Sequence, residues 1–172
     1  MMKVYDGSGT EQTSTPERIK VGIAEYDVST DGATLTTSGL GSCIGVALHD
    51  AETGVSGLVH VMLPVAEEVN GGNPAKFADT GVETLVSELE AHGADRSSMI
   101  AKIAGGSDML DFSKNGSGIG VRNANVVEET LSELDIPIVG EDVGGDHGRS
   151  IRLEGETGEL IVKSANRESK RL

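Results

Sequence analysis

Apolar positions along the chain switch between a period of two and a period near 3.6, and the switches mark the elements. Residues 20–28 alternate well enough for a strand, with Val21, Ile23 and Tyr26 as its apolar contacts. Asp31-Gly32 punctuates a turn before a second short strand over 33–37. A third strand is expected over 43–49. Ile44, Val46 and Leu48 share one of its faces, and Cys43, Gly45 and Ala47 share the other. A loop at 50–54 and an antiparallel return over 55–62 complete a hairpin. Ala78, Val82, Leu85, Val86 and Leu89 recur at helical spacing, with Glu83, Glu88 and Glu90 mostly on the opposite arc and Gly93 as the stop. An apolar strand over 99–104 ends at Gly105-Gly106. A second helix over 120–134 buries Val126, Val127, Thr130, Leu131 and Leu134. Residues 136–139 read as a strand with Pro137 at its beginning, and 149–153 with 160–163 as a last hairpin.

Strands clustered at both ends with two main helices between them predict an α+β domain. It is a layered sheet-and-helix sandwich with largely antiparallel strands. Residues 1–18 form a flexible polar arm, since 7–17 are polar without periodicity, and 19–172 form a single domain.

Charge narrows the partners. The chain carries 28 acidic and 14 basic residues, a net charge of -14, and an aromatic fraction of 2%. Such a surface repels phosphate backbones, so nucleic acid is not an expected ligand. Self-repulsion for solubility would explain the acid. Adaptation to a concentrated-salt cytoplasm, where charges are screened beyond roughly 3 Å at about 1 M, explains it together with the 24 glycines and scarce large apolar residues. One cysteine fits a reducing compartment, and no apolar run is long enough for a membrane span or signal peptide. A cytoplasmic protein is expected.

Chemistry concentrates at that cysteine, in Thr37-Ser38-Gly39-Leu40-Gly41-Ser42-Cys43. A lone strand cysteine is more often a small buried hydrophobe than a nucleophile. Three details weigh on the other side. Gly39 and Gly41 permit a sharp bend and close approach of a ligand, the amides of Ser42 and Cys43 can hold an oxyanion, and His60 falls at the matching end of the hairpin partner. Pairing about the loop centre sets Cys43 opposite a residue near Val61. From the residues alone the two readings balance. Other candidates are weaker. His49, His60, His92 and His147 are scattered, so no metal site is expected. Gly116-Ser117-Gly118-Ile119-Gly120 reads as a glycine-rich helix entry rather than a phosphate cradle, and His147 as an exposed turn residue.

Six separated blocks, in order, resemble the CheD family of chemoreceptor glutamine deamidases. They are 37–43, His60-Val61-Met62-Leu63-Pro64, Lys76-Phe77-Ala78-Asp79-Thr80, 101–106, Ile119-Gly120-Val121-Arg122-Asn123, and Glu141-Asp142-Val143-Gly144-Gly145 ahead of Gly148-Arg149-Ser150. The resemblance implies a layered α/β sandwich and a cysteine-protease-like triad. Cys43 would be the nucleophile, His60 the general base and Thr37 the third member, with Ser42 and Gly41 beside the oxyanion. Ser38 departs from the family's usual apolar residue. The implied substrate is the cytoplasmic region of methyl-accepting chemotaxis receptors, with methylesterase activity in some members, no cofactor, a monomeric state, and docking of the phosphatase CheC. A non-catalytic adaptor binding receptors or CheC is the competing expectation.

Overall fold

The computed structural model describes residues 18–66, 72–108, 118–165 and 167–172. The expected arm lies outside them except for Arg18, as do Gly116 and Ser117 of the glycine-rich stretch. In chain order the elements are β1 (Arg18–Lys20), β2 (Tyr26–Ser29), β3 (Thr34–Leu40), β4 (Ile44–Asp50), β5 (Val55–Val61), α1 (Ala78–Ala91), β6 (Met99–Gly105), α2 (Ile119–Glu133), β7 (Ile138–Val143), β8 (Arg149–Leu153), β9 (Leu160–Lys163) and β10 (Lys170–Arg171). They make two five-stranded sheets, one ordered β2-β5-β4-β6-β7 and the other β1-β3-β8-β9-β10. Among the described strands only β1–β3 and β6–β7 pair in parallel. The fold is α+β, as the periodicities imply.

Three layers follow from strand alternation. The central sheet turns Ile44, Val46, Leu48, Val59 and Val61 toward the helices, where Val82, Leu85, Val86 and Leu89 of α1 and Val127 and Leu131 of α2 meet them. Its other face sends Ala47, Leu58 and Ala104 against Leu35, Leu40, Ile151, Leu153, Leu160 and Val162 of the second sheet. Every residue of β4 and β5 is buried, so this hairpin has covered layers on both sides. Each large aliphatic side chain removed from water contributes roughly 1.5–3 kcal/mol, and both interfaces consist almost wholly of such groups.

Two elements differ from expectation. The strand expected over 20–28 is two strands in two different sheets. Val21 N–H still donates to Thr36 in the outer sheet, but Ala24 takes a left-handed φ of 62° and the chain crosses to pair β2 with β5. Alternation records which residues face a core, not which sheet supplies it. The strand expected from 136 begins instead at Ile138. Ile136 N–H closes the end of α2 on Leu131, and the Pro137 carbonyl accepts from Ala101. The C-terminal strand β10 carries no apolar alternation and was not expected.

Candidate active site

His60 is the inward-facing residue of β5 directly opposite Gly45 of β4. Leu40 and Ile151 of the second sheet close over Gly45, where an added Cβ would stand 2.5 Å from Ile151 Cδ1. The imidazole therefore lies between the two sheets, 0% exposed. The second sheet supplies its partner. Thr37 Oγ1, on the inner face of β3, stands 2.8 Å from His60 Nδ1, and this buried bond ties one sheet to the other. Backbone bonds fix the histidine from the crossing segment as well, since Ala24 N–H donates to the His60 carbonyl and His60 N–H to that of Glu25.

Cys43 ends the turn from β3 into β4 and is partly exposed. The register places Ile44 opposite Val61, so Cys43 comes level with Met62, one position beyond the Val61 neighbour expected. It lies two residues before Gly45, on the same face, and packs on the inter-sheet cluster. Thiol and imidazole are thus diagonal neighbours across one strand pair, a relation that puts Cα atoms about 7–8 Å apart, and His60 Nε2 has no hydrogen-bond partner among the described residues, Cys43 Sγ included.

The turn carrying the thiol is held from behind. Gly39 takes φ +74°, and the β3–β8 register shifts between Thr37 and Leu40. The carbonyls of Gly41, Ser42 and Cys43 accept in succession from Ser107 N–H (2.9 Å), Asn123 Nδ2 (2.8 Å) and Gly106 N–H (2.9 Å). Open space surrounds the Cα atoms of Gly39 and Gly41. No residue among those described offers an acceptor to the amides of Ser42 and Cys43, apart from the Cys43 sulfur to its own N–H. These are the groups an oxyanion would use.

Three supports were missed from sequence. Asn123, 0% exposed, donates from the same Nδ2 to the carbonyls of Ser42 and Met62 (2.9 Å to the latter), stapling the Cys43 turn to the strand end beside His60. Its signal was legible: stepping four residues back from Val127 along the apolar stripe of α2 lands on a polar side chain. Ser107 is buried at the end of β6. Arg149 donates to Asp142 Oδ2 (3.0 Å) and to the carbonyls of Gly105 (3.2 Å) and Gly144 (2.9 Å), bracing the strand end that docks on Cys43. Gly105 sits so close that a Cβ there would run into the Cys43 carbonyl oxygen.

Comparison with known proteins establishes the family. The family model described as CheD chemotactic sensory transduction matches residues 62–164. A "Probable chemoreceptor glutamine deamidase CheD" of Haloarcula marismortui is 65% identical over 170 residues, covering 98% of each chain. A protein of the same name from Natronomonas pharaonis is 47% identical over 158 residues, 91% of this chain and 94% of its own. The chain belongs to the CheD family. The "Chemoreceptor glutamine deamidase CheD" of Halalkalibacterium halodurans is 44% identical over 158 residues, covering 90% of this chain and 98% of that one. The Haloarcula relative also fits the reading of the acidic surface as salt adaptation. Because the CheD model begins two positions past His60, it includes Asn123 and Ser107 but not Thr37, Cys43 or His60.

Electrostatics sets the resting state of the CheD-family pair. Burial raises the Cys43 thiol above the usual cysteine range, partly offset by a backbone hydrogen bond, and burial lowers the His60 imidazole. Both are neutral near pH 7. A threonine partner brings no negative charge to hold a proton on the ring, so His60 rests as a free base. Three of the buried polar atoms without a partner among the described residues, His60 Nε2, Ser107 Oγ and Asn123 Oδ1, belong to residues around this turn.

The remaining candidates have other occupations. Gly120 N–H, which a phosphate would need, donates to Asp108 Oδ1 (3.2 Å), and Gly120 is small because Ser107 and Gly106 backbone oxygens press on it. His49 is buried against Ser56 Oγ (2.6 Å) at the far end of the hairpin. His147 is partly buried rather than exposed, with Asp146 at 3.8 Å.

Proposed function

We propose that the chain hydrolyses side-chain amides of glutamines in the cytoplasmic region of chemoreceptors, with Cys43 as nucleophile, His60 as general base and Thr37 as its orienting partner. The observation that carries the reading is the 2.8 Å bond between Thr37 and His60 Nδ1, made across two sheets on the face that also bears the only cysteine. A Nδ1–H donated to Thr37 leaves the Nε2 lone pair for the thiol proton.

Chemistry begins from the neutral pair. Cys43 Sγ attacks the carboxamide carbon while His60 Nε2 takes the thiol proton. The amides of Ser42 and Cys43, beside Gly41, receive the oxyanion, a contact typically worth about 2.7–4 kcal/mol. Collapse expels ammonia, which takes its proton from the imidazolium, and leaves a glutamyl thioester. A water, deprotonated by the same imidazole, attacks that thioester. The thiolate departs and recovers its proton, so one amide and one water yield glutamate and ammonium. A methyl ester is an easier electrophile for the same thiolate, which brings receptor methylesterase activity within reach of the site.

The enzyme works as a monomer in the cytoplasm, with CheC as a docking partner. Among the described residues no helix is long and apolar enough to cross a membrane. Mass spectrometry of receptor cytoplasmic fragments tests the function. Wild type should convert particular glutamines to glutamate and Cys43→Ala should not. Equal conversion by both proteins, or by neither, would remove the Cys43 enzyme reading, and conversion by neither would favour the adaptor that binds receptors or CheC without turnover.

A further inference from the structure

Among the described residues no layer covers the far face of the outer sheet, and that face carries a concavity of about 460 Å³ across β1, β3, β8 and β9. Arg18, Lys20, Arg152 and Lys163 line it, together with hydroxyls from Thr36, Ser38 and Ser150. This is unusual placement for a chain with twice as many acids as bases. Several cations elsewhere are neutralised by side-chain carboxylates: Arg96 by Glu90, Arg149 and Lys170 by Asp142, and Arg171 by Glu159. Within the groove Arg152 meets Glu154, but Arg18, Lys20 and Lys163 are exposed with no carboxylate in ion-pair range among the described residues. Among the described residues three of the four groove cations therefore stand without a carboxylate partner.

Register gives the spacing. Lys20 pairs with Thr36, and Thr36 with Arg152, so those two cations stand two strands apart, about 10 Å. Lys163 lies opposite Ser150, one strand further and one inward–outward repeat along. The backbone positions of these cations are spread along the groove rather than gathered around one point. They match carboxylates repeated along a peptide, which on one face of a helix recur every two turns at about 10 Å. Thr37 and Ser38 also line the groove, so the strand forming its floor delivers Thr37 to His60 and leads into the Cys43 turn.

We propose that this groove docks a carboxylate-rich segment of the protein substrate, on the same strand that positions His60. The proposal rests on the deamidase reading for the identity of the substrate. A protein deamidase must choose among many chemically identical carboxamides, and contacts away from the reacting amide supply that choice. Rim charges of this kind act chiefly on encounter and affinity and respond to salt.

Direct binding separates the docking from the chemistry. A labelled acidic fragment of a receptor cytoplasmic region is titrated by fluorescence anisotropy against the Cys43→Ala protein, with and without Lys20→Glu and Lys163→Glu together. These exposed substitutions should weaken binding about tenfold or more and flatten its salt dependence, while Lys20→Arg with Lys163→Arg should retain it. Unchanged affinity in the glutamate variant overturns the proposal whether or not the wild type deamidates anything. Two other results overturn it by reassigning the groove: tighter binding of inorganic phosphate than of the acidic fragment, or self-association of the chain that the same substitutions abolish. Absence of receptor deamidation by a wild type that still binds through these lysines would sink the activity and leave the groove standing.

Discussion

Replacing Thr37 by valine keeps the shape of the side chain and removes only its oxygen. His60 Nδ1–H would then lie between the sheets, 0% exposed, with no acceptor at the 2.8 Å position that Oγ1 occupies. A buried donor left unpaired costs about 1–3 kcal/mol. Part of that cost falls on stability, and the rest on the transition state, where the ring becomes positive and needs the acceptor more. If the full amount falls on the transition state, kcat drops between about 5-fold and 150-fold. A freed ring can also turn to the tautomer with Nε2 protonated, which cannot accept the thiol proton. The assay is steady-state deamidation of a receptor fragment, with thermal unfolding run in parallel to separate lost fold from lost function. Thr37→Ser retains the oxygen and should recover most of kcat. A valine variant within about twofold of wild type in kcat, at unchanged stability, would refute the orienting role.

Other consequences are as direct. Asn123→Ala strands the buried Ser42 and Met62 carbonyls, so kcat should fall about tenfold or more with a smaller change in KM, a split absent if the residue merely stabilises α2. Burial raises the Cys43 thiol, so its alkylation by iodoacetamide should keep climbing with pH past the ordinary cysteine range; a plateau already reached near pH 7 would mean a preformed thiolate. Burial alone would lift Asp50, yet N–H groups of Asp95 and Glu52 and hydroxyls of Ser98 and Thr53 outweigh it and bring the carboxyl to about 2. A depressed folded value stabilises above the unfolded value and loses that contribution as pH falls from about 4 toward 2. Asp50→Asn should therefore lose about 2 kcal/mol at pH 7 and show a flatter acid limb in urea midpoints.

The element pattern was legible because α1 and α2 each bury one face and β4 and β5 bury both, larger apolar residues toward the helices, and burial is what periodicity records. The face that bears Cys43 was legible for the same reason: Cys43, Gly45 and Ala47 alternate with Ile44, Val46 and Leu48, and two layers cover the two sets. Hairpin arithmetic placed Cys43 opposite a residue near Val61, and the register brings it level with Met62, although loop closure at Gly54 does not itself reveal the exact pairing. The sheet change at Ala24 was hidden because a left-handed alanine leaves no compositional mark. Thr37 entered as the third member only through resemblance to a family, since nothing in the spacing between 37 and 60 says that two different sheets meet there. Asn123, Ser107 and Arg149 act through backbone carbonyls, and carbonyls are invisible in a sequence.

Hydroxylamine partitioning during deamidation tests the covalent route most directly. With wild-type protein and a receptor fragment, the nucleophile should intercept the acyl-enzyme and yield γ-glutamyl hydroxamate at the glutamines otherwise converted to glutamate, while Cys43→Ala yields neither product. Glutamate formed without hydroxamate at any hydroxylamine concentration, or formed by Cys43→Ala, would contradict a thioester on Cys43.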